Sequence, residues 1–147
     1  MEIQQHLEQA LDAAIAHLGA HSGTIHLKEP GQRVLRLAAS RAIPESVLAV
    51  VRTVPWGKGM AGLAAERALP VDACNIQTTI SPDVQPGARA TGVAGALVVP
   101  MMLGPDVVGT FGVGSLVERR FTAAETDWLL DRARELARDL AAANVEF

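Results

Sequence analysis

Cys74 is the only cysteine in this chain of 147 residues and its most reactive side chain. A thiol here could act as a redox sensor, as a covalent anchor for a chromophore or as a catalytic nucleophile. A single thiol cannot form a disulfide within the chain, which fits a reducing compartment. Because a lone cysteine ending a short strand is most often a small buried hydrophobic residue, we expect that role here. A redox site at Cys74 is the alternative.

A glycine-rich segment, Gly57-Lys58-Gly59-Met60-Ala61-Gly62, has the glycine spacing of a dinucleotide-binding loop. Such a loop needs a preceding strand, a following crossover helix and an acidic residue about 20 positions further on. Here a short strand follows too soon for a βαβ unit, and Asp72 is too close. The glycines therefore predict turns that let a short helix pack closely on a sheet.

Four histidines, His6, His17, His21 and His26, are the remaining candidates for metal ligands. His17 and His21 are four residues apart, but Gly19 lies between them and ends the predicted first helix. No cluster of Cys, Asp or Glu completes a set of three or four ligands. We predict solvent-facing histidines, no metal site and, since no serine has the context of a nucleophile, no catalytic residues. One histidine can hold a haem, so the cofactor stays unknown.

A polar segment rich in Pro and Gly extends from residue 75 to residue 91 and is unusually long for a compact domain. Loops of this length are often lids or binding segments. Trp56 and Met60 could form the facing wall of a pocket, and Arg89 could bind an anionic ligand. The predicted ligand-binding residues are Trp56, Met60, Cys74, Ile76, Ile80, Arg89 and Thr91. A surface loop that its apolar residues merely tether is the alternative.

Composition and charge exclude several classes of protein. Hydrophobic residues make up 49% and charged residues 20% of the chain, as in ordinary globular proteins. The net charge of −3 and the absence of a basic cluster predict no nucleic-acid partner. The longest uncharged stretch, residues 90–105, is broken by Gly and Pro, so we predict no membrane span. The N-terminus lacks a secretory signal pattern, and we expect a cytoplasmic protein.

The ends of the chain predict amphipathic helices. Apolar residues recur every three or four positions between Ile3 and Leu18, and Gly19 is a suitable C-terminal stop. Near the other end, Thr122 and Glu125 have the spacing of a capping box, which predicts a helix from there to the C-terminus. Each helix has an apolar stripe, so we expect the first and last helices to pair in a homodimer.

Between these helices, alternating or apolar runs predict strands. We predict strands at Gly23–Lys28, Arg33–Ser40, Pro70–Cys74, Ala94–Met102 and Val107–Leu116. The first two form a hairpin, and two short helices, one beginning at Pro44 and one after the glycine-rich segment, come before the third. The chain is expected to be one α+β domain over residues 1–147, with a five- or six-stranded antiparallel sheet.

Five segments, in order, resemble the pattern of the GAF domain family. They are Gly57–Gly62, Leu69–Val71, Thr91–Pro100, Val107–Val113 and Phe121–Glu125. The resemblance extends over nearly the whole chain and implies a PAS-like fold. In that fold the terminal helices cover one face of the sheet, a loop-covered ligand pocket lies on the other, and the terminal helices commonly form dimers.

The ligands of several GAF relatives lack matching residues here. GAF-type methionine sulfoxide reductases use several cysteines, whereas this chain has Cys74 alone. Bilin-binding relatives often place His beside the attachment cysteine, but Asn75 follows Cys74. Cyclic-nucleotide-binding relatives tend to have an Asn-Lys pair and Phe-x-x-x-Asp-Glu; this chain keeps Phe121 and Glu125 but has Ala124 and no Asn-Lys.

The sequence as a whole predicts a non-catalytic sensory domain. It would bind a small metabolite, anionic if Arg89 contacts it, and signal through dimeric terminal helices to a separate signalling protein or a larger parent chain. A ligand-free GAF scaffold for dimerisation or protein docking is one alternative. A thiol-based redox sensor or enzyme at Cys74 is the other.

Overall fold

The computed structural model describes residues 2–78 and 86–147, with the backbone alone at residues 86–88. The helices are α1 (Ile3–Leu18), α2 (Glu45–Val51), α3 (Gly59–Arg67) and α4 (Ala123–Ala142). The strands are β1 (Ser22–Lys28), β2 (Val34–Arg41), β3 (Thr53–Pro55), β4 (Val71–Ala73), β5 (Gly95–Leu103) and β6 (Asp106–Ser115). The predicted loop from residue 75 to residue 91 is partly wrong, because Pro86–Thr91 forms a 3₁₀ helix.

The strands of the described residues form one antiparallel sheet in the order β3-β2-β1-β6-β5-β4. This confirms the predicted α+β fold with a five- or six-stranded sheet. The sixth strand is β3, which the sequence did not predict. It has three residues and pairs Val34 with Pro55 and Leu35 with Val54 at the edge of the sheet, where a proline is tolerated.

The terminal helices cover one face of the sheet. Ile25 of β1 and Phe111 of β6 are paired across the two strands, and both are fully buried on this face. The helices bury apolar stripes against them: Leu7, Leu11, Ala14 and Leu18 from α1, and Leu129, Ala133, Leu136, Ala137 and Leu140 from α4. Each fully buried leucine contributes about 1.5–3 kcal/mol of hydrophobic stabilisation.

The predicted ends of α1 are confirmed, and so is the start of α4. Gly19 ends α1 with a φ of 61°, and Thr122 and Glu125 form both hydrogen bonds of the capping box. The prediction that α4 runs to the C-terminus is wrong. Asn144 adopts a left-handed φ of 64°, and the Val145 amide donates to the Leu140 carbonyl, which is a helix-terminating Schellman arrangement.

The glycine-rich segment packs α3 closely on the end of β3, as predicted. The Gly57 amide donates to the Gly62 carbonyl at 2.8 Å, and Gly57 has a φ of 80°. A side chain at Gly62 would collide with the carbonyl oxygen of Pro55. In the described ranges, no helix combines the length and apolar character that a membrane crossing requires.

Candidate ligand pocket

A cavity of about 470 Å³ lies on the face of the sheet opposite α1 and α4. Strands β1, β5 and β6 form its floor, and α2, the start of α3 and the segments near residues 76 and 93 surround it. The volume lies within the usual range of small-molecule sites. A cavity therefore lies on the face of the sheet where the sequence analysis expected a pocket.

Two glycines keep the floor of the cavity open. Gly112 and Gly114 of β6 pair with Thr24 and Ser22 of β1. A Cβ at Gly112 would lie 3.2 Å from Val98 Cγ2 and 3.3 Å from Thr24 Oγ1, so any larger side chain there would project into the cavity. The absence of side chains at these two positions exposes the backbone of β6 to the cavity.

The walls of the cavity are mainly apolar. Val47, Val50 and Val51 of α2 lie on one side. On another side a small buried cluster contains Ile76, Val93 and Ala96, with Met60 and Ala73 packed against it. Apolar walls of this kind favour ligands with a hydrophobic body.

His26 is buried under α2, and the prediction that it faces solvent is wrong. It is 3% exposed, lines the cavity, and has Nε2 2.9 Å from the Val51 carbonyl oxygen. A carbonyl can only accept, so Nε2 carries the proton and donates it, and Nδ1 is left as an acceptor. Nδ1 has no hydrogen-bond partner among the described residues. Burial lowers the pKa of His26 despite the opposing hydrogen bond to Val51, so the ring is neutral at pH 7.

Thr110 of β6 is a second buried polar residue next to His26. The two residues are paired in the register of β1 and β6, so they lie on the same face of the sheet. The Thr110 side chain is 1% exposed, and its hydroxyl has no partner among the described residues. Buried polar atoms are normally hydrogen-bonded, so two adjacent exceptions distinguish this face of the sheet from the core face.

Three of the predicted ligand-binding residues line the cavity: Met60, Ile76 and Thr91. Trp56 is half-buried but lies outside the lining. Ile80 lies outside the described residues. Contact of any of the predicted residues with a ligand stays a prediction.

Arg89 and Cys74, two of the predicted ligand-binding residues, lie outside the cavity lining. The exposed Arg89 donates from Nε to the Ile76 carbonyl at 3.3 Å. Half-buried Cys74 has its Sγ 4.0 Å from Glu118 Oε1. Within the described ranges no group of three or more His, Cys, Asp or Glu side chains could hold a metal ion.

Sequence analysis missed Ser22, Thr24 and His26 as lining residues. They alternate along β1, so they lie on one face, opposite Gly114, Gly112 and Thr110. The signal was present as polar residues at every second position of β1 and as Gly112 and Gly114, two positions apart on β6. The sequence predicts that His26 faces solvent because nothing local to it shows that α2 covers this face.

Comparison with known proteins decides the family. The GAF domain family model matches residues 1–143. The chain belongs to the GAF domain family. That family is commonly regulatory or sensory. No curated protein matches the chain in sequence.

Solved structures share the fold of this GAF domain at low sequence identity. The GAF domain of a phosphoenolpyruvate-protein phosphotransferase from Coxiella burnetii is 19% identical, with a TM-score of 0.81 over 97% of this chain and 84% of that one. A GAF domain/HD domain protein from Geobacter sulfurreducens is 16% identical, with a TM-score of 0.78 over 96% and 93%. A free methionine-R-sulfoxide reductase from Neisseria meningitidis, solved with its substrate, is 17% identical, with a TM-score of 0.79 over 97% and 80%.

Proposed function

We propose that this GAF domain is a non-catalytic sensory module that binds a small metabolite in the cavity above β1, β5 and β6. The observation that carries the proposal is the cavity itself, about 470 Å³ in volume and not filled by any side chain of the described residues. Apolar walls with a few polar groups are the usual composition of small-molecule sites. The two glycines of the floor support the proposal, because a packed core would place side chains there.

The positions of two cationic side chains, Arg89 and Lys58, indicate where an anionic group of the ligand could bind. Arg89 donates to the backbone of Ile76 and does not line the cavity, so it gives little support to an anionic ligand. Lys58 lines the cavity and is exposed. No described carboxylate lies within ion-pair distance of its ammonium group. An anionic group on the ligand would therefore lie at Lys58, at the rim, with the body of the ligand further inside.

A screen of metabolites by thermal denaturation tests the proposal when it is paired with a variant that fills the cavity. We expect at least one neutral or acidic metabolite class to raise the melting temperature of the wild type. Val98→Phe should abolish that shift, because Val98 lines the cavity beside Gly112. Val117→Phe is the matched control, since Val117 is 65% exposed and lies outside the lining. Equal shifts in both variants, or none with any metabolite, would reject the cavity as the binding site.

The alternative of a ligand-free scaffold has less support. The apolar stripes of α1 and α4 pack on their own sheet, so a homodimer through these helices would have to use their outward faces. Trp128 is half-buried there, with its ring stacked on His17 at 4.0 Å. Pairing of these helices in a dimer, and signalling to a separate protein, stay part of the proposal.

A redox role for Cys74 is the other alternative. The likeness to a methionine sulfoxide reductase is a likeness of fold at 17% identity, and this chain has a single cysteine. The Cys74 side chain faces Glu118 and not the cavity. If Cys74→Ser changed the response of the domain to peroxide, the non-catalytic proposal would be replaced by this one.

A further inference from the structure

Three polar side chains of the cavity lie on one strand, β1, and the other polar lining residues among those described are Thr53, Lys58 and Thr91. Ser22, Thr24 and His26 lie at alternate positions of β1 and all line the cavity. Ser22 is 2% exposed and His26 is 3% exposed, so two of the three are withdrawn from bulk solvent. We call these three residues the polar edge.

The hydroxyl groups of the polar edge are not used by the fold. No hydrogen bond joins the side chain of Ser22 or Thr24 to any other described residue. Both oxygens lie beside the glycine floor: Ser22 Oγ is 2.9 Å from the position that a Cβ on Gly114 would take, and Thr24 Oγ1 is 3.3 Å from the position that a Cβ on Gly112 would take. Both hydroxyls face the cavity and have no partner among the described residues, so they are available to a ligand that can donate to or accept from them.

The surfaces next to the polar edge are mainly apolar or bare. Gly112 and Gly114 expose the flat peptide backbone of β6, and Val98 and Val47 add hydrophobic surface. A charge inside this space would be desolvated without a described partner, because the one charged residue among the described lining, Lys58, is at the exposed rim.

We propose that the polar edge selects a ligand with a flat, uncharged ring system that lies on the glycine backbone of β6 and directs hydroxyl, amine or amide groups of its rim to β1. This inference rests on the proposed function, since it assigns the chemistry of the ligand to the same cavity. An aromatic or heteroaromatic compound with one hydrogen-bonding edge fulfils all these conditions.

A double-mutant cycle with two probes of equal shape tests the polar edge. The probes are 2-naphthol and 2-methylnaphthalene, which differ by a hydroxyl in place of a methyl group. Their dissociation constants are measured by methyl NMR of the valine, isoleucine and methionine residues for the wild type and for Ser22→Ala/Thr24→Val. We expect the preference for 2-naphthol, given as the ratio of the two constants, to fall about tenfold in the double variant.

The variant also separates a binding role from a structural one. Because the fold does not use these hydroxyls, Ser22→Ala/Thr24→Val should unfold at a denaturant concentration no lower than the wild type does. Ser46→Ala is the control for the serine change, since Ser46 is exposed on α2 and outside the lining. Lower stability with an unchanged probe ratio would overturn the inference in favour of a structural role.

Gly112→Ala tests the flat floor independently. The added methyl group would require Val98 and Thr24 to move by only a few tenths of an ångström, so the variant should fold. It should weaken both naphthalene probes at least fivefold and leave their ratio unchanged, while decahydro-2-naphthol, which is not flat, binds weakly to both proteins. Equal binding of the flat and saturated alcohols to the wild type would overturn the flat-ring part of the inference.

The outcomes for the inference and for the proposed function are distinct. If both naphthalene probes bind in the cavity but their ratio is the same in the double variant, the polar edge is rejected and the sensory proposal stands. If neither probe shifts the methyl signals of the lining residues while other metabolites do, the flat-ring inference alone is rejected. If no compound shifts them, both are rejected.

Discussion

At the residue scale, His26 shows how burial changes the chemistry of a side chain. The ring donates to the Val51 carbonyl at 2.9 Å. Burial of the ring away from water lowers its pKa. The hydrogen bond to Val51 connects β1 to the C-terminal end of α2, the helix that forms one wall of the cavity. Protonation would keep the Nε2–H donor but would place a charge away from water, so burial keeps the ring neutral although the hydrogen bond to Val51 opposes this effect.

This burial predicts a pH dependence of stability. The pKa of His26 in the folded protein lies below its ordinary value of 6.5, so the unfolded chain binds a proton first as the pH falls. The contribution of His26 to the free energy of unfolding should therefore decrease as the pH is lowered below about 6.5 and level off below its folded pKa, while the lowered pKa of Glu125 adds a separate loss of stability at more acidic pH. Urea titrations at several pH values from about 7.5 to about 4.5, a range that includes the ordinary histidine pKa, measure this dependence.

A pair of histidine variants isolates the contribution of His26. In His26→Gln the decrease below about pH 6.5 should become shallower, because the titrating group is gone. His21→Gln is the matched control, since His21 is exposed and should leave the slope unchanged. If His26→Gln had the same slope as the wild type, the acid sensitivity would come from other groups.

At the element scale, the start of α4 shows a local signal that sequence reasoning can use. Thr122 Oγ1 accepts from the Glu125 amide at 3.1 Å, and Glu125 accepts from the Thr122 amide at 2.9 Å. Glu125 also accepts from Arg119 at 2.6 Å, and the guanidinium of Arg119 lies 4.2 Å from the centre of the Phe121 ring. The cap therefore connects α4 to the chain that enters it.

The capping box predicts the cost of its removal. Thr122→Ala should lower the free energy of unfolding by about 1 kcal/mol, because the amides of the first turn of α4 lose their acceptor. Thr122→Ser keeps the hydroxyl and should restore most of this loss. Chemical denaturation of the three proteins measures the difference, and equal values for Ala and Ser would show that the methyl group of Thr122 is what matters.

Elements with strong local signals were predicted, and elements defined by distant partners were not. The apolar spacing from Ile3 to Leu18 and the stop at Gly19 are local, and α1 follows them. Strand β3 has three residues and includes Pro55, so only its pairing with β2 identifies it as a strand. The burial of His26 also depends on a partner distant in sequence, because α2 lies about 20 residues further along the chain and has no local mark of where it packs.

At the scale of the whole molecule, the sheet separates a filled side from an open one. On the filled side, Phe111 is fully buried between the sheet and the terminal helices. On the open side, its neighbours Thr110 and Gly112 face His26 and the cavity floor. Adjacent residues of β6 therefore have different roles: one fills the core, and its neighbours line the side of the sheet that carries the cavity.

Substitutions at two adjacent positions of β6 test this separation. Phe111→Ala should lower the free energy of unfolding by about 3–5 kcal/mol, because it leaves a cavity in the close-packed core. Thr110→Val removes a buried hydroxyl that has no described partner, so it should leave stability unchanged or raised. Guanidinium unfolding curves of both variants provide the comparison. A large loss for Thr110→Val would mean that its hydroxyl is hydrogen-bonded in solution.

The alternation along β1 has a consequence for how an occupied cavity could be reported elsewhere. Thr24 and His26 face the cavity, while Ile25 between them packs in the core that contains Leu11 of α1. One backbone carries both sets of side chains, and a tightly packed core resists compression. A ligand of the proposed kind that displaced the centre of β1 would therefore also move Ile25 within the core that β1 shares with α1. The two faces of one strand would then be enough to couple the proposed site to the helix layer.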